Sequence, residues 1–181
     1  LTHLPFAPWC QFCQMGKGTE KPHASIHPSK KSVVPKIEMD FMFMDRENRV
    51  CDKADARTTI LTMVDEDTHC PFALVVESKA TDMKYTVSCA TDFVKRLGHS
   101  EVRLKCDGET SIKSIADAIV KMRDPLKTQV EVAPRYSSAS LGLMGVTQKF
   151  MQGQIRTVLA ELEAQYGARF EGDHNVWPWL V

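Results

Sequence analysis

The sequence predicts an α/β fold, a mixed sheet of about five strands flanked by helices and preceded by a small separate segment. Three observations lead there. Between Lys36 and Lys79, three β-prone runs follow one another with only polar, turn-like stretches between them. From Thr81 onward, helical and strand-like runs alternate. Residues 1–35 hold five of the nine prolines and no helical period. Hairpin-linked strands followed by α/β alternation are the pattern of a mixed sheet with helices on its faces.

Taken in order, "KIEMDFMFM" reads as a buried first strand, and "DRENRVCDKADA" as a hairpin excursion. "RTTILTMVDEDT" is a second strand ending in an acidic turn, with Asp65 in the turn, and "CPFALVVESK" is a third. "TDMKYTVSCATDFVKRLG" opens on a capping-type Thr-Asp and places Tyr85, Val87, Cys89, Phe93 and Leu97 near helical spacing, with Gly98 as its C-cap. "EVRLKCD" is a fourth strand. "TSIKSIADAIVKMRD" is a helix closed by Pro125, and "TQVEVAP" a short fifth strand. "RYSSASLGLMG" reads as a loop. "VTQKFMQGQIRTVLAELEAQYG" is a long helix, with Phe150, Met151, Ile155, Val158, Leu159 and Leu162 as its apolar positions and Gly167 as its stop.

A length of 181 residues with 25% charged residues fits one ordinary globular core with an appendage. No apolar run approaches the ~18 residues of a membrane span, so no membrane partner is expected. Formal net charge is zero but unevenly spread. Residues 1–36 hold Lys17, Lys21, Lys30, Lys31 and Lys36 against Glu20, a basic arm ahead of an acidic remainder. Such an arm fits nucleic-acid binding, and fits a solvated linker equally well. Six cysteines, scattered except for Cys10 and Cys13, read as buried free thiols rather than a disulfide framework. The chain starts at Leu1 and stops at "WPWLV" with apolar residues still running, so it reads as a piece of a longer polypeptide. Trp177 and Trp179 are expected to pack.

The acids carry the chemistry. Asp40 interrupts an apolar strand, which is costly unless the carboxylate is paired or bound to metal. Asp107 ends the fourth strand and is followed at once by Gly108. If the two strands are neighbours, both carboxylates meet at one sheet edge, a ligand set for a hard divalent cation such as Mg²⁺. Taken alone, Asp107 is equally a helix N-cap, and the plainer alternative for Asp40 is an exposed edge residue. Upstream, His3, Cys10, Cys13 and His23 form a C-x-x-C with flanking histidines. Two thiolates and two imidazoles suffice for tetrahedral Zn²⁺.

These pieces resemble one known family. "THLPFAPWCQFCQMGKG", the acid in "IEMDFMFM", the "VDEDT" turn, the acid-glycine of "KCDGE" and the "YSSASLG" loop before a long helix are similar to the integrase of long-terminal-repeat retrotransposons, most of all the copia type. The resemblance spans nearly the whole chain. It implies residues 1–35 as the remnant of a zinc-binding module and linker. It implies residues 36–181 as an RNase H-like catalytic core, truncated at its C-terminus. It further implies 3′-end processing and strand transfer of element ends into target DNA, by acids that hold two Mg²⁺ or Mn²⁺ ions. A homo-oligomer, nuclear location, and Lys149 and Arg156 facing DNA phosphates follow in the same way.

Asp40 and Asp107 match the first two acids. The third, a glutamate in S-x-x-S-x-G-x-x-E, falls on Gly145 of "SSASLGLMG". Glycine supplies no ligand. Gln148, one turn on, could reach inward as a weaker, uncharged ligand, and Glu109 could assist one metal. Glu161 and Glu163 lie about four turns away, too far along a rigid helix. The expectation is a polynucleotidyl transferase core with impaired strand transfer. The alternatives are a non-catalytic module that binds DNA or oligomerises, and an RNase H-type nuclease. The zinc-like start and the serine-rich loop argue against the nuclease.

Overall fold

The computed structural model describes residues 9, 34–44, 58–76, 83–133, 141–171 and 174–181. The chain divides into two compact units, Leu1–Lys31 and Ser32–Val181. The elements below belong to the second.

Strands β1 (Lys36–Met44), β2 (Thr58–Asp65) and β3 (Pro71–Val76) come first. Helix α1 (Met83–Arg96), strand β4 (Glu101–Cys106), helix α2 (Thr110–Arg123) and strand β5 (Lys127–Val132) follow. Helix α3 (Gly142–Tyr166) and the short α4 (Trp177–Leu180) complete the order. The sheet runs β3-β2-β1-β4-β5. β1 is antiparallel to β2 and β2 to β3, whereas β1 is parallel to β4 and β4 to β5. It is the mixed five-stranded, helix-flanked sheet that the sequence predicts.

Side chains alternate across β1, and that alternation separates two cores. Ile37, Met39 and Phe41 point to one face, with Leu61, Leu104 and Cys106, and meet Val87, Phe93, Ile112, Ile115 and Ile119 of α1 and α2. Met42 and Met44 point to the other face, with Ile60, and meet Ile155 and Leu159 of α3 and Trp177 of α4. Glu38 and Asp40 share that second face by their even spacing with Met42.

Several local expectations change. α3 begins at Gly142, not after Gly145, so "LMG" belongs to the helix and not to the loop. The reason is tertiary: the Glu38 carboxylate of β1 accepts the Met144 N–H at 2.7 Å and satisfies a first-turn donor that "GLMG" cannot cap itself. On α3 the buried residues are Met144, Gln152, Ile155 and Leu159, while Phe150 and Val158 face solvent. On α1, Tyr85 is exposed and the buried face is instead Thr86, Val87, Ala90, Thr91, Phe93 and Val94. Trp177 is buried with its indole N–H donated to the Glu171 carbonyl, but Trp179 is 89% exposed, against the expectation that it packs. Of the cysteines, Cys106 is buried, Cys89 half-buried and Cys70 exposed. Asp65 is the last residue of β2 and fully buried, its carboxylate accepting the Thr68 N–H and hydroxyl and contacting His99 Nε2 at 3.1 Å. Gly98 and Gly167 both take positive φ where α1 and α3 end, as expected of helix stops.

Candidate functional site

β1 and β4 lie side by side and parallel, with Met39 opposite Cys106. One residue on, this register makes Asp40 and Asp107 neighbours at the C-terminal side of the pair. Cys106 points into the α1–α2 core. Asp107, next along the chain, emerges where β4 has ended, and its Oδ1 accepts the Glu109 N–H at 3.0 Å. That bond closes the turn into α2. The N-cap position itself is held by Glu109, with no side-chain cap, so the expectation that Asp107 caps this helix is corrected. Its carboxylate fastens the turn two residues ahead of the helix.

Asp40 is half-buried under α3. Desolvation pushes its carboxyl up to about 6, and the negative charges of Asp107 and Glu109 push in the same direction. Against them work the Phe41 N–H, which donates to Asp40 Oδ1 at 2.8 Å, and a hydrogen bond from the Gln148 side chain. The charges acting on Asp40 are therefore acidic. A buried acid that faces other acids is the donor set a divalent cation relieves.

Asp40 and Asp107 are the two carboxylates that could hold one such ion. Mg²⁺ binds through one or two carboxylates and completes its shell with water and phosphate oxygens. Among the described residues no group of three or more His, Cys, Asp or Glu side chains is arranged to hold a metal. Gly145 is exposed on the first turns of α3, and a Cβ built there meets nothing within 4 Å, so the space a glutamate would use is open.

Gln148 does reach inward, as its spacing allowed, but with the wrong end for a ligand. Its Nε2 lies 3.0 Å from Thr62 Oγ1 and 3.5 Å from the Phe41 carbonyl oxygen. Thr62 spends its own hydroxyl proton on the Asp40 carbonyl at 2.9 Å. The Asp40 carboxylate (which also accepts the Phe41 N–H), the Phe41 carbonyl and the Thr62 oxygen are then all acceptors, and the amide NH₂ is the donor turned toward them. An NH₂ group offers a cation no lone pair.

Glu38 and Thr62 are site residues that reading for acids alone passed over. Glu38 is buried, and desolvation raises its carboxyl above the usual range. Its signal was available: it sits two residues before Asp40, hence on the same face of the strand. Thr62 is opposite Asp40 in the β1–β2 register, which no single-strand pattern reveals. Lys149 and Arg156 are exposed on α3. They share one stripe with Gly145, at helical spacings of four and seven residues. His3, Cys10, Cys13 and His23, and most of the serine-rich loop, lie outside the described residues.

No protein-family model and no curated protein matches the sequence. Solved structures do. A chain of the cryo-electron microscopy structure of the simian T-cell lymphotropic virus intasome in complex with PP2A regulatory subunit B56 gamma superposes with a TM-score of 0.54. Its sequence identity is 14%, and the match covers 84% of this chain and 50% of that one. The crystal structure of the catalytic core domain of BIV integrase gives a TM-score of 0.49 at 13% identity, over 70% of this chain and 72% of that one. The first likeness is one of fold, and the present chain spans half the length of that neighbour. The architecture is the RNase H-like α/β fold expected from the sequence.

Proposed function

We propose that this chain is the catalytic core of a retrotransposon integrase, of the copia type, descended to act on DNA by phosphoryl transfer. The observation that carries the reading is the pairing of Asp40 and Asp107 at adjacent ends of parallel strands, beneath the helix that holds the third acid in the resembling family. The likeness in fold to an intasome chain supports it. Asp40 and Asp107 would hold Mg²⁺ or Mn²⁺, which when bound activates an attacking oxygen and steadies the leaving one. The chain's own part is positional. The Phe41 N–H and the Gln148 amide fix the Asp40 carboxylate, and the Glu109 N–H fixes Asp107. Lys149 and Arg156 would neutralise phosphates of element ends and target DNA. Cys10 and Cys13, with His3 and His23, would bind Zn²⁺ in a separate unit. Homo-oligomerisation and a nuclear location belong to the same reading.

Gly145 leaves the ligand set one carboxylate short, so strand transfer is impaired in this sequence. The test is Mn²⁺-dependent strand transfer on a labelled DNA end, with the chain as it stands beside Gly145→Glu. Activity in the glutamate form alone supports the assignment. Equal activity in both would mean that another residue supplies the third ligand. Inactivity of both, though folded, favours the second reading, a DNA-binding module without chemistry. The Gln148 amide donated to Asp40 speaks for that second reading, because it occupies lone pairs a cation would use.

A further inference from the structure

Gln148 lies one helical turn beyond the buried Met144, on the side of α3 that faces the sheet. Its Nε2 is 3.0 Å from Thr62 Oγ1 and 3.5 Å from the Phe41 carbonyl oxygen, and its side chain hydrogen-bonds Asp40. The surrounding atoms fix which end of the amide points inward. The Thr62 hydroxyl has one proton, and the Asp40 carbonyl at 2.9 Å is a better acceptor for it than the Met144 sulfur at 3.3 Å. Turned the other way, the amide oxygen would face a carboxylate, a carbonyl and a hydroxyl oxygen with no proton free among them. Donor hydrogens aimed at such a group of oxygens do for them, without charge, what a hard cation does. Gly145 lies three residues back, about 60° round the helix, and is exposed. A Cβ added there meets nothing within 4 Å. No side chain at position 145 therefore comes between Gln148 and Asp40, and the amide has open space beside it to swing into.

We infer that Gln148 is an autoinhibitory plug: its amide sits at the Asp40 carboxylate in place of a divalent cation and has to be displaced before one is bound. This rests on the metal reading above and gives the amide a second role there. It steadies Asp40 in the free chain and competes when a cation arrives. The two roles differ in sign. A residue that only steadied Asp40 for the ion would strengthen metal binding, whereas a plug weakens it. Position 148, as well as position 145, then decides how tightly this chain holds a metal.

The experiment is Mn²⁺ binding to the full chain, read from the loss of the free ion's electron paramagnetic resonance signal. Binding that disappears in Asp40→Asn is counted as belonging to this site. Gln148→Leu, which keeps the bulk and drops the donor, should bind Mn²⁺ roughly tenfold more tightly than the parent, about what one hydrogen bond to a charged group contributes. Gln148→Glu, the same shape with an oxygen for the NH₂, should bind more tightly still. Gln148→Lys, a charged donor, should bind more weakly than the parent. In EDTA, Gln148→Leu should also melt below the parent, because the oxygens around it lose their donor. Circular dichroism checks that each variant is folded. If Gly145→Glu binds Mn²⁺ while Gln148→Leu binds it as the parent does or more weakly, the plug is wrong and the metal reading stands. If no form binds at millimolar Mn²⁺, Gly145→Glu included, the metal reading fails and the plug with it. Should Gln148→Leu not fold, the other two variants decide: equal affinity in Gln148→Glu and Gln148→Lys overturns the inference.

Discussion

Asp40 carries a cost that its surroundings set. Its carboxyl is raised from 3.8 to about 6, chiefly by desolvation and further by Asp107 and Glu109. The folded chain therefore holds that proton more tightly than the unfolded chain does. The resulting stabilisation is complete below pH 3.8 and is lost as pH rises through about 6. Above that the ionised carboxylate costs stability, on the order of 3 kcal/mol for a shift of this size. Asp40→Asn keeps an acceptor for the Phe41 N–H and discards the charge. In EDTA it should melt higher than the parent at pH 8 and no higher at pH 4, as read by thermal denaturation across that range. A parent whose melting tracks the variant at every pH would show that Asp40 is not strained by its neighbours.

At the scale of elements, helix α3 depends on strand β1. "GLMG" is a poor helix start: two glycines, no capping side chain, no acid in the first turn. The helix nonetheless begins there because buried Glu38 accepts the Met144 N–H from across the sheet. Local pattern could not reveal this, since the two residues are 106 positions apart. The same limit explains why the exposed Phe150 and Tyr85 read as core residues in the sequence. Amphipathic spacing gives the period of a helix, but only its neighbours fix which side is covered. The strands were legible because β-prone apolar runs bounded by polar turns are written locally, and Gly98 and Gly167 because a left-handed stop is as well. Glu38→Ala should cost about 2 kcal/mol by leaving a buried N–H unpaired, whereas Glu38→Gln, which keeps the oxygen, should cost well under half of that. Urea unfolding of the two variants measures the difference. Hydrogen exchange should then quicken at residues 142–148 in the alanine form first.

At the scale of the whole molecule, the pairing of Asp40 with Asp107 was legible from two strands and an assumption of adjacency, and the parallel register supplied the adjacency. What could not be read was the partner on the third side, where Gly145 leaves open space and the Gln148 amide turns a donor toward Asp40. The reading extends to the first compact unit, Leu1–Lys31. Units of one chain lose stability independently where neither relies on the other's interior. If Cys10 and Cys13 hold zinc, the metal's binding energy folds that unit alone. The purified full chain should then contain about one Zn²⁺ per molecule, measured by atomic absorption, and Cys10→Ser should remove it. Chelation should leave the cooperative melting of the core where it was, because a metal held at Cys10 and Cys13 stabilises the unit that binds it. Loss of the core transition together with the zinc would mean that the two units share an interior, and the division between them would have to be given up.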